Sequence, residues 1–196
     1  MRIIAGTKKG KKLFSPSKDL PVRPTSDRAR ESLFNLLLHA KALQDYTIQD
    51  KVFADICAGS GSVGLEALSR GAKRTIFVEN HHEIAQTLQK NIEHCGFYPL
   101  SLTLTQDYQG LPAPSKVDVL FMDAPYHGFD MHQALGILHH QGWFHQTSLA
   151  ILQTHPDYTY PNHHGDDELL PFRLLLQKNY NDGIFWCFAI DDLLPY

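Results

Sequence analysis

Between Lys51 and Asp123 the chain alternates short apolar runs with longer amphipathic ones: "KVFADICAG", "SVGLEALSRGA", "RTIFVEN", "HHEIAQTLQKNIEHCGF", "SLTLTQD" and "VDVLFMD". The short runs have strand length and end in glycine or an acid, whereas the longer ones repeat apolar residues every three or four positions. Such alternation constrains the fold strongly, because a strand followed by a helix returns to the sheet as a parallel neighbour. The expected architecture is α/β, a mostly parallel sheet with helices on both faces. "DMHQALGILHHQGW" predicts a further helix and "LAILQTH" a further strand. The rhythm then breaks: "FRLLLQKNYNDGIFWCFAI" is two strand-like runs around an Asp-Gly turn signal, so a C-terminal hairpin adds an antiparallel strand. The polar, proline-bearing "HPDYTYPNHHGDDELLP" reads as a surface loop.

Upstream of the alternation, "RIIAGTKKGKKLFSP" carries Gly6 and Gly10 and predicts a twisted hairpin or arm. In "VRPTSDRARESLFNLLLHA", Pro24 disfavours helix at Arg23, Thr25 or Ser26 can cap, and Asp27 falls in the first turn. Ala29, Leu33, Phe34, Leu36 and Leu37 supply the apolar face of that helix. This divides the chain into a basic N-terminal segment, 1–24, and a domain, 25–196.

Charge sharpens the division. Residues 1–30 hold nine of the eighteen Lys and Arg against only Asp19 and Asp27, a local charge of +7, and the remainder stands at −10. Concentrated positive potential at one end suits a polyanion, with Arg2, Lys8, Lys9, Lys11, Lys12, Arg23, Arg28 and Arg30 as the contacting candidates. Lysines also protect strand edges, and Arg30 is as well suited to supporting the helix as to touching a nucleic acid. No apolar run reaches the roughly 18–20 residues of a membrane span, and "MRIIAGTKKGKKLF" lacks the apolar core of a secretory leader, so a cytoplasmic protein is expected. Cys57, Cys95 and Cys187 form no CxxC pair and suit a reducing compartment. The twelve histidines include adjacent pairs, but neither HExxH nor a Cys/His finger spacing occurs, and no metal site is expected.

The glycine loop "DICAGSGSVG" places Gly59, Gly61 and Gly64 in G-x-G-x-x-G spacing between a strand and a helix. Gly59, Ser60 and Gly61 would let a ligand approach the backbone beside a helix N-terminus. Glu79, at the end of the next strand, is placed to accept from ribose hydroxyls. These features suit a nicotinamide dinucleotide or S-adenosylmethionine equally. Asp55, four residues before Gly59, favours the latter, because a carboxylate attracts the ammonium of its methionine moiety and repels a pyrophosphate. Asp55 is also suited simply to capping the following turn. Asp107, after the third strand, is suited to accept from an adenine amino group.

The run "VDVLFMDAPYHGF" ends a strand on Asp123-Ala124-Pro125-Tyr126, at the cleft where the cofactor would lie. The order of glycine loop, Glu79, Asp107 and Asp123 to Tyr126 resembles a class I S-adenosylmethionine-dependent amino methyltransferase, whose motif here is (Asp/Asn)-Pro-Pro-(Tyr/Phe). With "RIIAGTKKGKKL", "RPTSDRARESLFN" and "AGSGSVGLEALSRGA", nearly the whole chain resembles the RsmD family, which methylates a guanine exocyclic amine of 16S ribosomal RNA. The resemblance implies a Rossmann-like, seven-stranded sheet, S-adenosylmethionine as cofactor, small-subunit RNA or the subunit itself as partner, and Asp123 to Tyr126 as the catalytic residues. Asp123 and the Ala124 carbonyl would accept from the target amine, and Tyr126 would stack on a splayed base. Ala124 departs from the family's proline; alanine keeps the carbonyl and loses the fixed φ. A DNA adenine or protein glutamine methyltransferase, a dehydrogenase and a non-catalytic RNA-binding assembly factor are the alternatives. A monomer is expected.

Overall fold

The computed structural model describes residues 1–17, 19–20, 25–123, 129–158, 171–180 and 183–190. Its strands are β1 (Val52–Ile56), β2 (Arg74–Val78), β3 (Ser101–Leu104), β4 (Val117–Asp123), β5 (Phe144–Thr154), β6 (Phe172–Tyr180) and β7 (Gly183–Ile190). The helices are α1 (Asp27–His39), α2 (Ser62–Ser69), α3 (His82–Cys95) and α4 (Met131–His140). The seven strands form one sheet in the order β3-β2-β1-β4-β5-β7-β6. The first five strands of that order pair in parallel, and β7 pairs antiparallel with both β5 and β6. Only β7 therefore runs against the rest, as the expected hairpin requires.

Side chains alternate across each strand and divide the core in two. Phe53, Phe77, Val119, Phe121, Ile151 and Cys187 join Leu33, Phe34, Leu65 and Leu88 on the side of α1, α2 and α3. Ala54, Ile76, Leu120, Met122, Leu152 and Trp186 face the opposite way, onto Met131, Leu135 and Leu138 of α4 and Trp143. Both faces of the sheet are thus covered, which explains why its central strands read as continuous apolar runs.

Helix ends follow the sequence signals. Ser26 caps α1 by accepting from the Ala29 amide at 3.1 Å. Gly96, at φ +72°, ends α3, with the Phe97 amide bonding back to the Ile92 carbonyl at 3.0 Å. Leu36 is only partly buried; Ala29, Leu33, Phe34 and Leu37 carry the packing of α1. Gly64, inside α2, lies so close to Thr75 and Phe77 of β2 that a Cβ would collide with both side chains.

The N-terminal hairpin is docked on the domain rather than free of it. Arg2 and Lys12 form an antiparallel bridge, and Ile3 and Leu13 enter the core beside α1 and α2. Glu66 of α2, fully buried, accepts from the Ile4 and Ala5 amides at 2.7 and 3.0 Å and from Arg70 Nε at 2.7 Å. Ser69 Oγ accepts from the Lys8 amide at 2.9 Å and donates to the Ala5 carbonyl at 2.6 Å. The Arg70 guanidinium also sits over the Phe34 ring, 4.6 Å from its centroid.

Removing the Glu66 carboxylate would strand two hairpin amides and a partly buried arginine. Glu66→Ala is expected to cost about 3 kcal/mol, lowering Tm by roughly 6–12 °C in thermal denaturation. Hydrogen exchange at Ile4 and Ala5 should accelerate at the same time; unchanged exchange would mean that other contacts hold the hairpin.

Candidate active site

The sheet order reverses between β1 and β4, and in open α/β sheets ligands bind at the carboxyl ends of strands flanking such a point. The glycine loop and the ends of β2 and β4 lie there. In the glycine loop after β1, Gly59 and Gly61 adopt φ +57° and +78°, the left-handed region open to glycine. Cys57 takes the same conformation, φ +58°, without glycine's freedom, a strained residue at the turn between strand and loop. The loop is tied to β2 by the Ala58 amide on the Val78 carbonyl, 2.9 Å, and by the Gly59 amide on Glu79 Oε2, 2.8 Å. Glu79 Oε1 also accepts from the His81 amide at 2.9 Å, so two backbone donors orient this carboxylate and leave lone pairs for a ligand.

Asp55 lies on the α1/α2 side of β1 and is buried. Its Oδ2 accepts from the Gly64 amide in the first turn of α2, at 2.8 Å. Asp123 ends β4, with Oδ2 accepting from Thr25 Oγ1 at 3.0 Å. Asp107 is exposed after β3 and caps the Tyr108–Gly110 turn by accepting from the Gln109 amide at 2.9 Å. Electrostatics show that these acids converge. Burial, then the Asp123 and Glu79 charges, raise the Asp55 carboxyl well above the usual range, against the pull of the Gly64 hydrogen bond. Burial and the charges of Glu79, Asp123, Asp55 and Asp107 push the Cys57 thiol up to about 12. Cys57 is therefore a protonated thiol at neutral pH, unsuited to nucleophilic attack. A locus with this many carboxylates favours a cationic ligand and disfavours a pyrophosphate.

Ser60 is buried, its carbonyl accepting from Asn91 Nδ2 at 2.9 Å and its Oγ lying 3.6 Å from Met1 Sδ. Asn91, fully buried in α3, exchanges two further hydrogen bonds with the Phe14 backbone, and so joins the hairpin to the glycine loop.

The basic candidates separate into three groups. Arg2, Lys9, Lys12 and Arg28 are exposed, while Lys8 and Lys11 are half-buried. The Lys8 amide is held at the last residue of α2, so the lysine-bearing turn lies on the order of 12 Å along that helix from the glycine loop. Arg23, with Ala124, Pro125 and Tyr126, lies outside the described residues. Arg30 is a correction: it is fully buried and cannot reach a nucleic acid. Its Nη1 donates to the Thr25 carbonyl at 2.8 Å, and its Nη2 to the Arg2 carbonyl and to Asp27 Oδ1, both at 2.7 Å. The spacing Arg30, Leu33, Phe34, Leu37 contains the signal, since it places the arginine on the apolar stripe of α1. Thr25, which bonds Asp123, Asn91, which bonds the glycine loop, and Glu66, which holds the hairpin, are residues that the sequence patterns do not single out as functional. Thr25 is legible only as a cap candidate, because no local pattern brings residues 25 and 123 together.

The family described as "Conserved hypothetical protein 95" matches residues 1–188. The ribosomal RNA small subunit methyltransferase D of Haemophilus influenzae is 35% identical over 162 residues, covering 80% of each chain. That of Escherichia coli is 31% identical over 156 residues, covering 79% of this chain and 74% of its own. The chain belongs to the ribosomal RNA small subunit methyltransferase D family. A solved Escherichia coli structure, named provisionally as a methyltransferase, superposes with TM-score 0.75 at 26% identity, covering 97% of this chain and 98% of its own. The expected fold, a seven-stranded sheet with an antiparallel C-terminal hairpin, is thereby borne out. The cofactor of the family is S-adenosylmethionine. The acidic locus fits that group on charge, and the glycine loop fits it on backbone access.

Burial of Asp55 makes a signed prediction. Its carboxyl binds a proton more tightly folded than unfolded, so it removes stability as pH rises from about 4 toward its raised value. Asp55→Asn keeps an oxygen for the Gly64 amide and carries no charge. Its Tm advantage over the parent, measured without cofactor from pH 4 to 8, should be near zero at the acid end and grow with pH. A constant or shrinking difference would contradict an unfavourable buried charge.

Proposed function

We propose that this methyltransferase modifies the exocyclic N2 amine of a guanine in 16S ribosomal RNA, in the cytoplasm. The observation that carries the reading is Asp123, a carboxylate held by Thr25 at the end of β4, beside the cation-favouring locus of Asp55 and Glu79. S-adenosylmethionine, when bound, supplies a methyl group activated by its sulfonium. Glu79 would hold the ribose hydroxyls, and Asp107 would accept from the adenine amine. Asp55 would meet the positive methionine moiety, directly or through the turn that it braces.

A guanine amine is a weak nucleophile, because its lone pair is delocalised into the ring. Accepting its hydrogen bond at Asp123, with a second acceptor at the Ala124 carbonyl, favours a pyramidal nitrogen whose lone pair points at the donor. Asp123 is also positioned to take the proton that the amine loses as the new N–C bond forms. Tyr126 would stack on the extruded base, an interaction worth roughly 1–3 kcal/mol. The exposed cations Arg2, Lys9, Lys12 and Arg28 would bind phosphates and set the register of the RNA without reading its sequence. An alanine at 124 supplies the same carbonyl as proline, which is why turnover is expected to survive that departure.

Labelled methyl transfer to small subunits lacking the modification, followed by nucleoside analysis, tests the reading. Label is expected in N2-methylguanosine; label in another nucleoside or in protein would overturn the substrate assignment. Asp123→Ala should lower kcat by about 10²–10³-fold while cofactor affinity stays near the parent value. Replacing Lys9 and Lys12 by alanine should reduce the salt dependence of RNA binding by about one unit of slope each. A slope that does not change would place the RNA elsewhere.

A further inference from the structure

We infer that Thr25 is a positioning residue for the Asp123 carboxylate, and that the buried Arg30 holds Thr25 in place for it. The inference rests on the role of Asp123 proposed above. Thr25 stands just before the Ser26 cap of α1, 98 residues from Asp123, and its Oγ1 donates to Asp123 Oδ2 at 3.0 Å. The contact depends on strand alternation. Asp123 shares the side of the sheet occupied by Phe121, the side on which α1 packs, so the start of α1 meets the carboxyl end of β4.

A threonine there is chemically apt. A hydroxyl donor fixes the rotation of a carboxylate without neutralising it, whereas a lysine or arginine would pair with Asp123 and compete with the substrate amine. A rotationally fixed acceptor presents its carboxylate in one direction, and positioning of this kind contributes to rate rather than to ground-state binding.

The backbone of Thr25 is fixed independently of its hydroxyl. Arg30 Nη1 donates to the Thr25 carbonyl at 2.8 Å, while Nη2 reaches the Arg2 carbonyl and Asp27 Oδ1. A guanidinium is suited to this bracket because it is planar and multidentate. It joins the hairpin, through Arg2, to the residue that orients the catalytic acid. Arg30 thus acts on the reaction through Thr25, from inside the protein.

The test is a double-mutant cycle on the full chain, read as single-turnover methyl transfer. Thr25→Val keeps the shape and the carbonyl and deletes only the donor. It should lower kcat about tenfold or more, with KM for S-adenosylmethionine and Tm close to the parent values, and Thr25→Ser should restore the rate. In an Asp123→Ala background, Thr25→Val should have no further effect. A parent-like rate in Thr25→Val, an undiminished effect in that background, or failure of serine to rescue would overturn the inference. If the parent enzyme methylates a different amine, the substrate assignment falls, and the same cycle on that amine still judges Thr25. The Asp123 side-chain 13C resonance gives a readout that needs no turnover. It should move in Thr25→Val and return in Thr25→Ser, and a resonance unchanged by valine would remove the contact from consideration.

Discussion

The active end of this molecule is governed by like charge held in a small volume. β1 and β4 deliver Asp55 and Asp123 to one side of the sheet, β2 adds Glu79, and the turn after β3 adds Asp107. Packing carboxylates together costs free energy that the fold recovers elsewhere, and backbone amides absorb part of it: Gly64 serves Asp55, Gly59 and His81 serve Glu79. The remainder is a standing preference for a positive ligand. That preference separates a sulfonium cofactor from a dinucleotide more firmly than the glycine spacing does, because both ligands use the same loop geometry.

A second constraint lies one layer out. The hairpin is held by two buried side chains of opposite sign, each matched to the backbone groups it meets. Glu66 takes the Ile4 and Ala5 donors, and Arg30 takes the Arg2 acceptor. Buried ions are costly unless their hydrogen bonds are satisfied, and here the satisfied partners are the chain segments that carry the basic surface. Positive charge on the exposed face of the hairpin is thereby joined to the start of α1, and through Thr25 to the end of β4. The basic face of the hairpin and the Asp123 carboxylate thus share one hydrogen-bonded support.

Much of this architecture is legible in the order of residues. β4 spans Val117–Asp123, the run expected of it, because an apolar strand bounded by a polar turn has few alternatives. Ser26 and Gly96 mark helix ends through short-range chemistry that a local window contains. A count of charges puts Arg30 among the surface cations because a count carries no direction; its burial follows from its helical phase. β5 begins at Phe144, five residues ahead of the run "LAILQTH", because Phe144 pairs with Val117 across a shift in register and Ser148 Oγ donates to the Val117 carbonyl at 2.6 Å.

The element order, the parallel class of the sheet and the placement of Asp55, Gly59, Glu79 and Asp123 at or just beyond the carboxyl ends of strands follow from the amino-acid sequence alone, since an apolar run stops at or beside each of them. So does the polarity of charge between the first thirty residues and the rest. Two features depend instead on tertiary packing: the N-terminal segment enters the core through Ile3 and Leu13, and Thr25 meets Asp123. The physical reason is sequence separation. Caps and turns form within a few residues, whereas the Glu66 contact with the hairpin and the Thr25–Asp123 contact join residues 62 and 98 apart in sequence, which only the folded sheet and its helices bring together.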